Sequence, residues 1–198
     1  MKVWAYIHPQ LNILCCALLP EAVPEGVQAI ELEVSSPDDV ILDNGQIRVK
    51  TEAEKLAEVK ADLIKLLQNR ATAYINTYYP DSKQKSDISD KEVGETYLAY
   101  KQINTTQLRA DIAAQVLAYY PDFTTALNNI LAVYGSTQDP YINHWLTQLM
   151  KVAFRQYFVH RVKQQYHQMK QKIENATSKK DLPAPDSLTF TEPWPEGV

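Results

Sequence analysis

At Thr51 the hydrophobic pattern of this chain changes period, and no other feature constrains the fold as strongly. Before it, short runs alternate or stay continuously apolar and are separated by turn chemistry, the signature of strands. Lys2–Ile7 is rich in strand formers, and His8-Pro9-Gln10 predicts a turn. Asn12–Leu19 reads as a return strand apolar enough to be covered on both faces. Ala29–Val34 alternates, with Glu31 and Glu33 opposite Ile30, Leu32 and Val34. Val40–Leu42 and Gln46–Val49 pair across Asp43-Asn44-Gly45, a hairpin turn. The expectation is a meander of four or five strands that needs a cover, because fifty residues bury little by themselves.

After Thr51 the period becomes helical. Thr51 and Glu54 form a capping box, in which each side chain can bond the other's backbone amide. Leu56, Val59, Leu63, Leu66, Leu67, Tyr74 and Tyr78 follow at spacings of three and four, and Pro80 ends the helix. Asp81–Asp90 is polar and rich in Ser and Lys, and reads as a loop before a helix over Lys91–Gln102. Asn104 or Thr105 caps a helix to Tyr120. Phe123, Ala126, Leu127, Ile130, Leu131 and Tyr134 trace another, closed by Gly135 at the C-cap position. Asp139-Pro140 starts the last helix, to about Asn175. Its Gln- and Lys-rich second half shows few apolar points, which predicts that it projects beyond the body. Asp181–Val198, with four prolines, reads as an extended arm anchored by Leu188, Phe190 and Trp194. The fold class is therefore α+β: a β module over 1–50, a helical domain over 51–180 and an arm over 181–198.

Two short strings recur. Tyr78-Tyr79-Pro80-Asp81 returns as Tyr119-Tyr120-Pro121-Asp122, and Pro24-Glu25-Gly26-Val27 as Pro195-Glu196-Gly197-Val198. A duplicated helical hairpin would explain the first, but the flanking residues match poorly, so it reads instead as repeated use of proline as a helix stop; the second reads as coincidence.

Charge is unevenly placed. The chain carries a net −4, but residues 151–180 hold 8 basic and 1 acidic side chains while the last 18 hold 4 acidic and none basic. The basic stretch Arg155–Lys172 interleaves Arg155, Arg161, Lys163 and Lys170 with Tyr166. It can face a phosphate backbone or an acidic protein surface, including this chain's own arm. The acidic balance of the whole and the absence of a nucleic-acid motif argue against nucleic acid. The partner-binding candidates are thus Arg155, Arg161, Lys163, Tyr166, Lys170, Leu188, Phe190 and Trp194.

Chemistry is not announced. His160 and His167 lie seven apart, too far along a helix for the i, i+3 or i, i+4 spacing of a metal pair. No nucleophile elbow, phosphate loop or dinucleotide fingerprint occurs. Adjacent Cys15 and Cys16 suit neither a disulfide nor a zinc site, and point to a reducing compartment. The reading is no catalytic residue, no cofactor, no metal, no signal peptide and no membrane span.

The opening residues carry a resemblance. A strand and return, Pro24-Glu25-Gly26, the acidic strand Ala29-Ile30-Glu31-Leu32-Glu33, then Leu42-Asp43-Asn44-Gly45-Gln46-Ile47-Arg48 and a Glu/Lys-rich helix resemble the N-terminal modules of small tailed-phage tail proteins, both tail-fibre and baseplate-associated. The resemblance covers a quarter to a third of the chain. It implies a non-enzymatic structural adaptor of a phage tail, baseplate or related contractile injection apparatus. Such an adaptor is made in the bacterial cytoplasm, resides in the virion tail, and has other tail proteins or further copies of itself as partners. The alternatives are a tail-fibre assembly chaperone, or a nucleic-acid-binding accessory protein acting through the basic helix.

Overall fold

A computed structural model describes all 198 residues. The chain is α+β: a small antiparallel β region followed by a mostly helical body with a long C-terminal helix. The strands are β1 (Lys2–Ile7), β2 (Leu14–Ala17), β3 (Ile30–Glu33), β4 (Val40–Asp43) and β5 (Gln46–Val49). The helices are α1 (Glu52–Tyr78), α2 (Asp81–Tyr100), α3 (Thr105–Tyr119), α4 (Phe123–Tyr134) and α5 (Pro140–Asn175). Chain contacts divide it into two compact units, Met1–Asp62 with Thr177–Asp181, and Leu63–Ala176 with Leu182–Val198. The division falls inside α1 rather than at its start.

In the first unit the strands form two sheets rather than one meander. β1 lies centrally in the order β2-β1-β3, and β4-β5 is a separate hairpin. Asn44 and Gly45 both take positive φ (49° and 82°), the conformation that a two-residue hairpin turn requires. Val3, Ala5, Val34 and Val40 form the core, with Leu14, Cys16, Leu32, Ile47 and Val49 packed around it. The return strand is shorter than its apolar run, and Leu18 and Leu19 are exposed rather than covered. Pairing with β1 ends at Ala17, and a 3-10 turn opens at Pro20.

Ion pairs fix the hairpin to the first turns of α1. Arg48 grips Glu54 with both terminal nitrogens (2.9 and 2.7 Å), Lys50 reaches Glu58 (2.6 Å), and Lys55 reaches Asp39 (3.0 Å). The capping box forms as the sequence predicts. The Thr51 amide donates to Glu54 Oε2 (2.7 Å) and the Glu54 amide to Thr51 Oγ1 (3.2 Å). Arg48 and the Thr51 donors hold the Glu54 carboxyl down at about 2. Thr51→Ala is expected to cost about 1 kcal/mol through loss of this cap, read by urea denaturation.

In the second unit the largest departure from the sequence reading lies at Asp81–Asp90, which is the first half of α2 and not a loop. No apolar stripe marks it. It is fixed instead by Asp87, which is 1 % exposed and bonded to Arg155 of α5. α5 also differs, because its second half does not project freely. Val162 and Ile173 are fully buried and Tyr166 and Met169 half-buried, a stripe spaced 4-3-4 that is masked by the surrounding Gln and Lys. Gly135 stands at the C-cap of α4, but at φ −66° rather than in the left-handed region. Space explains it: a Cβ there would strike the Leu131 carbonyl and lie 3.0 Å from the Asn143 side chain. The main core joins α2, α3, α4 and α5 through residues such as Leu98, Ile112, Phe123, Ile130, Met150 and Phe154. No helix is long and apolar enough to cross a membrane.

Candidate functional site

The last seventeen residues lie in a cleft built by α1, α5 and the two Tyr-Tyr-Pro-Asp corners, all within the second unit. Each corner ends one helix and begins the next: α1 to α2, and α3 to α4. The Asp residues start the following helices. Asp122 caps α4 by accepting from the Thr125 amide (3.0 Å), and Asp81 is the first residue of α2.

Tyr78 and Tyr79 of the first corner and Tyr120 of the second turn to the arm, while Tyr119 is exposed. Trp194 stacks on Tyr78 (5.8 Å between centroids, 15° between planes), meets Phe158 edge-on (5.0 Å) and leans on Tyr79. From the second corner, Tyr120 Oη donates to the Pro193 carbonyl. Further along α1, Tyr74 Oη donates to the Glu192 carbonyl (2.7 Å), and its ring tilts on Phe190. Arg70 donates to the carbonyls of Pro185 and Leu188. Side chains of the body thus satisfy backbone acceptors of a strand-less segment, the way proteins hold a linear peptide. Leu188 and Phe190 are buried, and Val198 reaches the main core.

Two acidic groups organise the polar part. Glu192, only 4 % exposed, accepts from Arg161 Nε (3.1 Å) and Gln165 Nε2 (3.0 Å). Beneath the first corner, Asp87 accepts from Tyr79 Oη (2.8 Å) and from Arg155 Nη1 (2.9 and 3.0 Å), and pairs with Lys83 (2.9 Å). Burial pushes the Asp87 carboxyl up, but bonds from Lys83, Tyr79 and Arg155 outweigh it and leave it below its ordinary value. Burial, together with the Asp87 carboxylate, drives the Tyr79 phenol well above its ordinary value. Burial and the Glu192 charge do the same at Tyr120. Both phenols remain donors at neutral pH, suited to holding acceptors in place.

No family model, curated protein or solved structure matches the chain.

The arrangement redistributes the sequence-derived candidates. Arg155 is not a surface contact. It is buried in the Asp87 pair, because the loop expected over Asp81–Asp90 is a helix that carries an acid to it. Arg161 is taken up by Glu192 of the arm, so the acidic tail does meet the basic helix, and in the same chain. Lys170 pairs with Glu174 one turn on (3.5 Å), and Tyr166 is half-buried beside His167. Lys163 is exposed and in no ion pair. Leu188, Phe190 and Trp194 serve as anchors in their own chain. The basic stretch therefore presents less free charge than its composition implies. Arg70, Tyr74, Tyr79, Asp87, Tyr120 and Glu192 escape sequence reading. The one available signal is the repeated Tyr-Tyr-Pro-Asp, whose tyrosines do more than precede a helix stop. No three side chains among His, Cys, Asp and Glu gather as a metal set. His8 accepts the Gln10 and Leu11 amides and shapes its turn (3.3 Å each).

Proposed function

We propose that the protein is a structural adaptor of a phage tail or baseplate, or of a related contractile injection apparatus. It joins tail proteins or fibres by protein–protein contact and performs no catalysis. The N-terminal resemblance supplies the setting. The observation that carries the reading is the apolar surface around β2. Leu11, Ile13, Leu18 and Leu19 flank this four-residue strand and are 51–63 % exposed.

β2 is also an outer strand of its sheet, and its sequence Leu-Cys-Cys-Ala carries neither charge nor proline. Folded proteins ordinarily guard such edges. The opposite outer strand, β3, is guarded by Glu31 and Glu33, both exposed. β2 packs on β4, where Cys16 Sγ donates to the Pro37 carbonyl (3.8 Å), but it carries no charge or proline, and such an edge suits an added strand from a neighbouring protein. The docked arm fits the same reading, since it covers the aromatic cleft of the second unit.

Mass spectrometry of gradient-purified particles tests the proposal, with the protein expected at a copy number in fixed ratio to the major tail proteins. Recovery only from infected-cell lysate would favour an assembly chaperone. Salt-dependent retention on single-stranded DNA, together with absence from particles, would favour the nucleic-acid reading.

A further inference from the structure

The outward face of α3 is apolar, which is the reverse of a surface helix. Leu108, Ile112 and Val116 point to the core. Ala110, Ala113, Ala114, Leu117 and Ala118 form a second stripe, and all five are exposed, Leu117 at 68 %. The polar residues lie on the flanks, where the molecule itself engages them. Arg109 holds Glu95, Asp111 accepts from Gln107 and Tyr134, and Gln115 accepts from Asn129. A helix apolar on both faces belongs in an interior.

Beside this stripe, between α3 and α5, runs a cleft of about 510 Å³ with α2 at its margin. Leu108, Ile112, Val116, Leu149 and Val152 form its floor, and Leu117 belongs to both stripe and cleft. Lys91, Gln156 and His160 stand on its rim. From Thr105 to Leu117 it follows α3 for about 18 Å, some three turns of helix.

We infer that this surface binds a second copy of the same chain, α3 of each copy packing on the α3–α5 cleft of the other. The occupant of an open, straight cleft between helices is best a helix. An acyl chain would leave one side wet, whereas a helix covers the floor and turns its own polar side outward. The surface is also self-complementary. It carries a helical ridge and an adjacent trough of the same length, the condition for a closed two-fold interface. Alanines along the ridge allow the close interaxial approach of about 8 Å. Charge agrees: Lys91 on the rim has no ion pair, and Asp111 on the flank of α3 has no cation beside it. A second copy supplies each with an opposite charge.

The inference goes beyond the adaptor reading and does not rest on it. A failure here leaves the particle composition untouched, and the reverse holds as well. Sedimentation equilibrium of the intact chain up to about 100 μM is the test, with Leu117→Asp and Ala114→Arg as variants that lie on the exposed face and spare the core. The intact chain is expected to dimerise, and each variant to weaken the dimer by tenfold or more while keeping the circular dichroism of the parent. A monomer throughout the range, or a dimer indifferent to both substitutions, overturns the inference. So does a monomer that binds cis-parinaric acid in a Leu117-dependent way, which would assign the cleft to a lipid.

Discussion

Asp87→Ala is expected to lower the stability of the second unit by about 3–5 kcal/mol, the usual cost of leaving one member of a buried ion pair without its partner. The loss falls on two groups at once. Arg155 keeps its charge at 7 % exposure, and Tyr79 loses the acceptor of its buried hydroxyl. Urea unfolding followed through Trp145 and Trp194, which both lie in this unit, measures it. Replacing the pair together, as Asp87→Leu with Arg155→Met, is expected to recover much of the loss, because no charge is then stranded. The pH dependence has a definite sign. Asp87 titrates below its ordinary value in the folded state. Its contribution is therefore complete above the unfolded-state pKa of about 3.9 and disappears as pH falls through the lower folded value. Asp87→Asn should flatten the acid limb of the stability curve while leaving the neutral and alkaline limbs parallel to those of the parent.

Phe190→Ala is expected to cost about 3 kcal/mol or more, as for other buried phenylalanines, even though the residue sits in a terminal segment without regular structure. Trp194→Ala should cost less, because Trp194 is only half-buried. Glu192→Gln tests the polar contact separately. Arg161 is partly exposed and can rehydrate, so the expected loss is about 1 kcal/mol, well below that of Asp87→Ala. Deleting 182–198 uncovers Phe158, Tyr74 and Tyr78 and should raise the binding of hydrophobic dye. Since the arm docks in its own chain, the deletion is expected to leave the oligomeric state unchanged. Dissociation of an assembly upon deletion would show that the arm works between copies.

Features set by neighbouring residues were legible in the sequence. The Asn44-Gly45 turn, the Thr51 capping box and the Asp139-Pro140 helix start are each decided within a few positions, and each lies where the pattern places it. Features set by distant residues were not. The first half of α2 has no stripe of its own, and what identifies it is Asp87 meeting Arg155, 68 positions away. The same separation hid the fate of Arg155, which looks like surface charge until its partner is in place. In the arm, the anchors Leu188, Phe190 and Trp194 stood out as apolar residues among prolines and acids. Their cleft did not, because it gathers Arg70, Tyr74, Tyr79, Tyr120 and Arg161 from four parts of the chain. The end of α5 misled for a different reason, since the Gln and Lys around its four apolar residues lower the average hydropathy without breaking the stripe.

Under the proposed function, the N-terminal module makes the outside contact of a structural adaptor. Imaging the protein inside an intact tail tests it most directly. Leu11, Ile13, Leu18 and Leu19 are expected to lie beneath another tail protein, with an added strand along β2. Finding the protein in the particle with these four side chains facing solvent, and another surface holding it in place, would overturn this role for the N-terminal module.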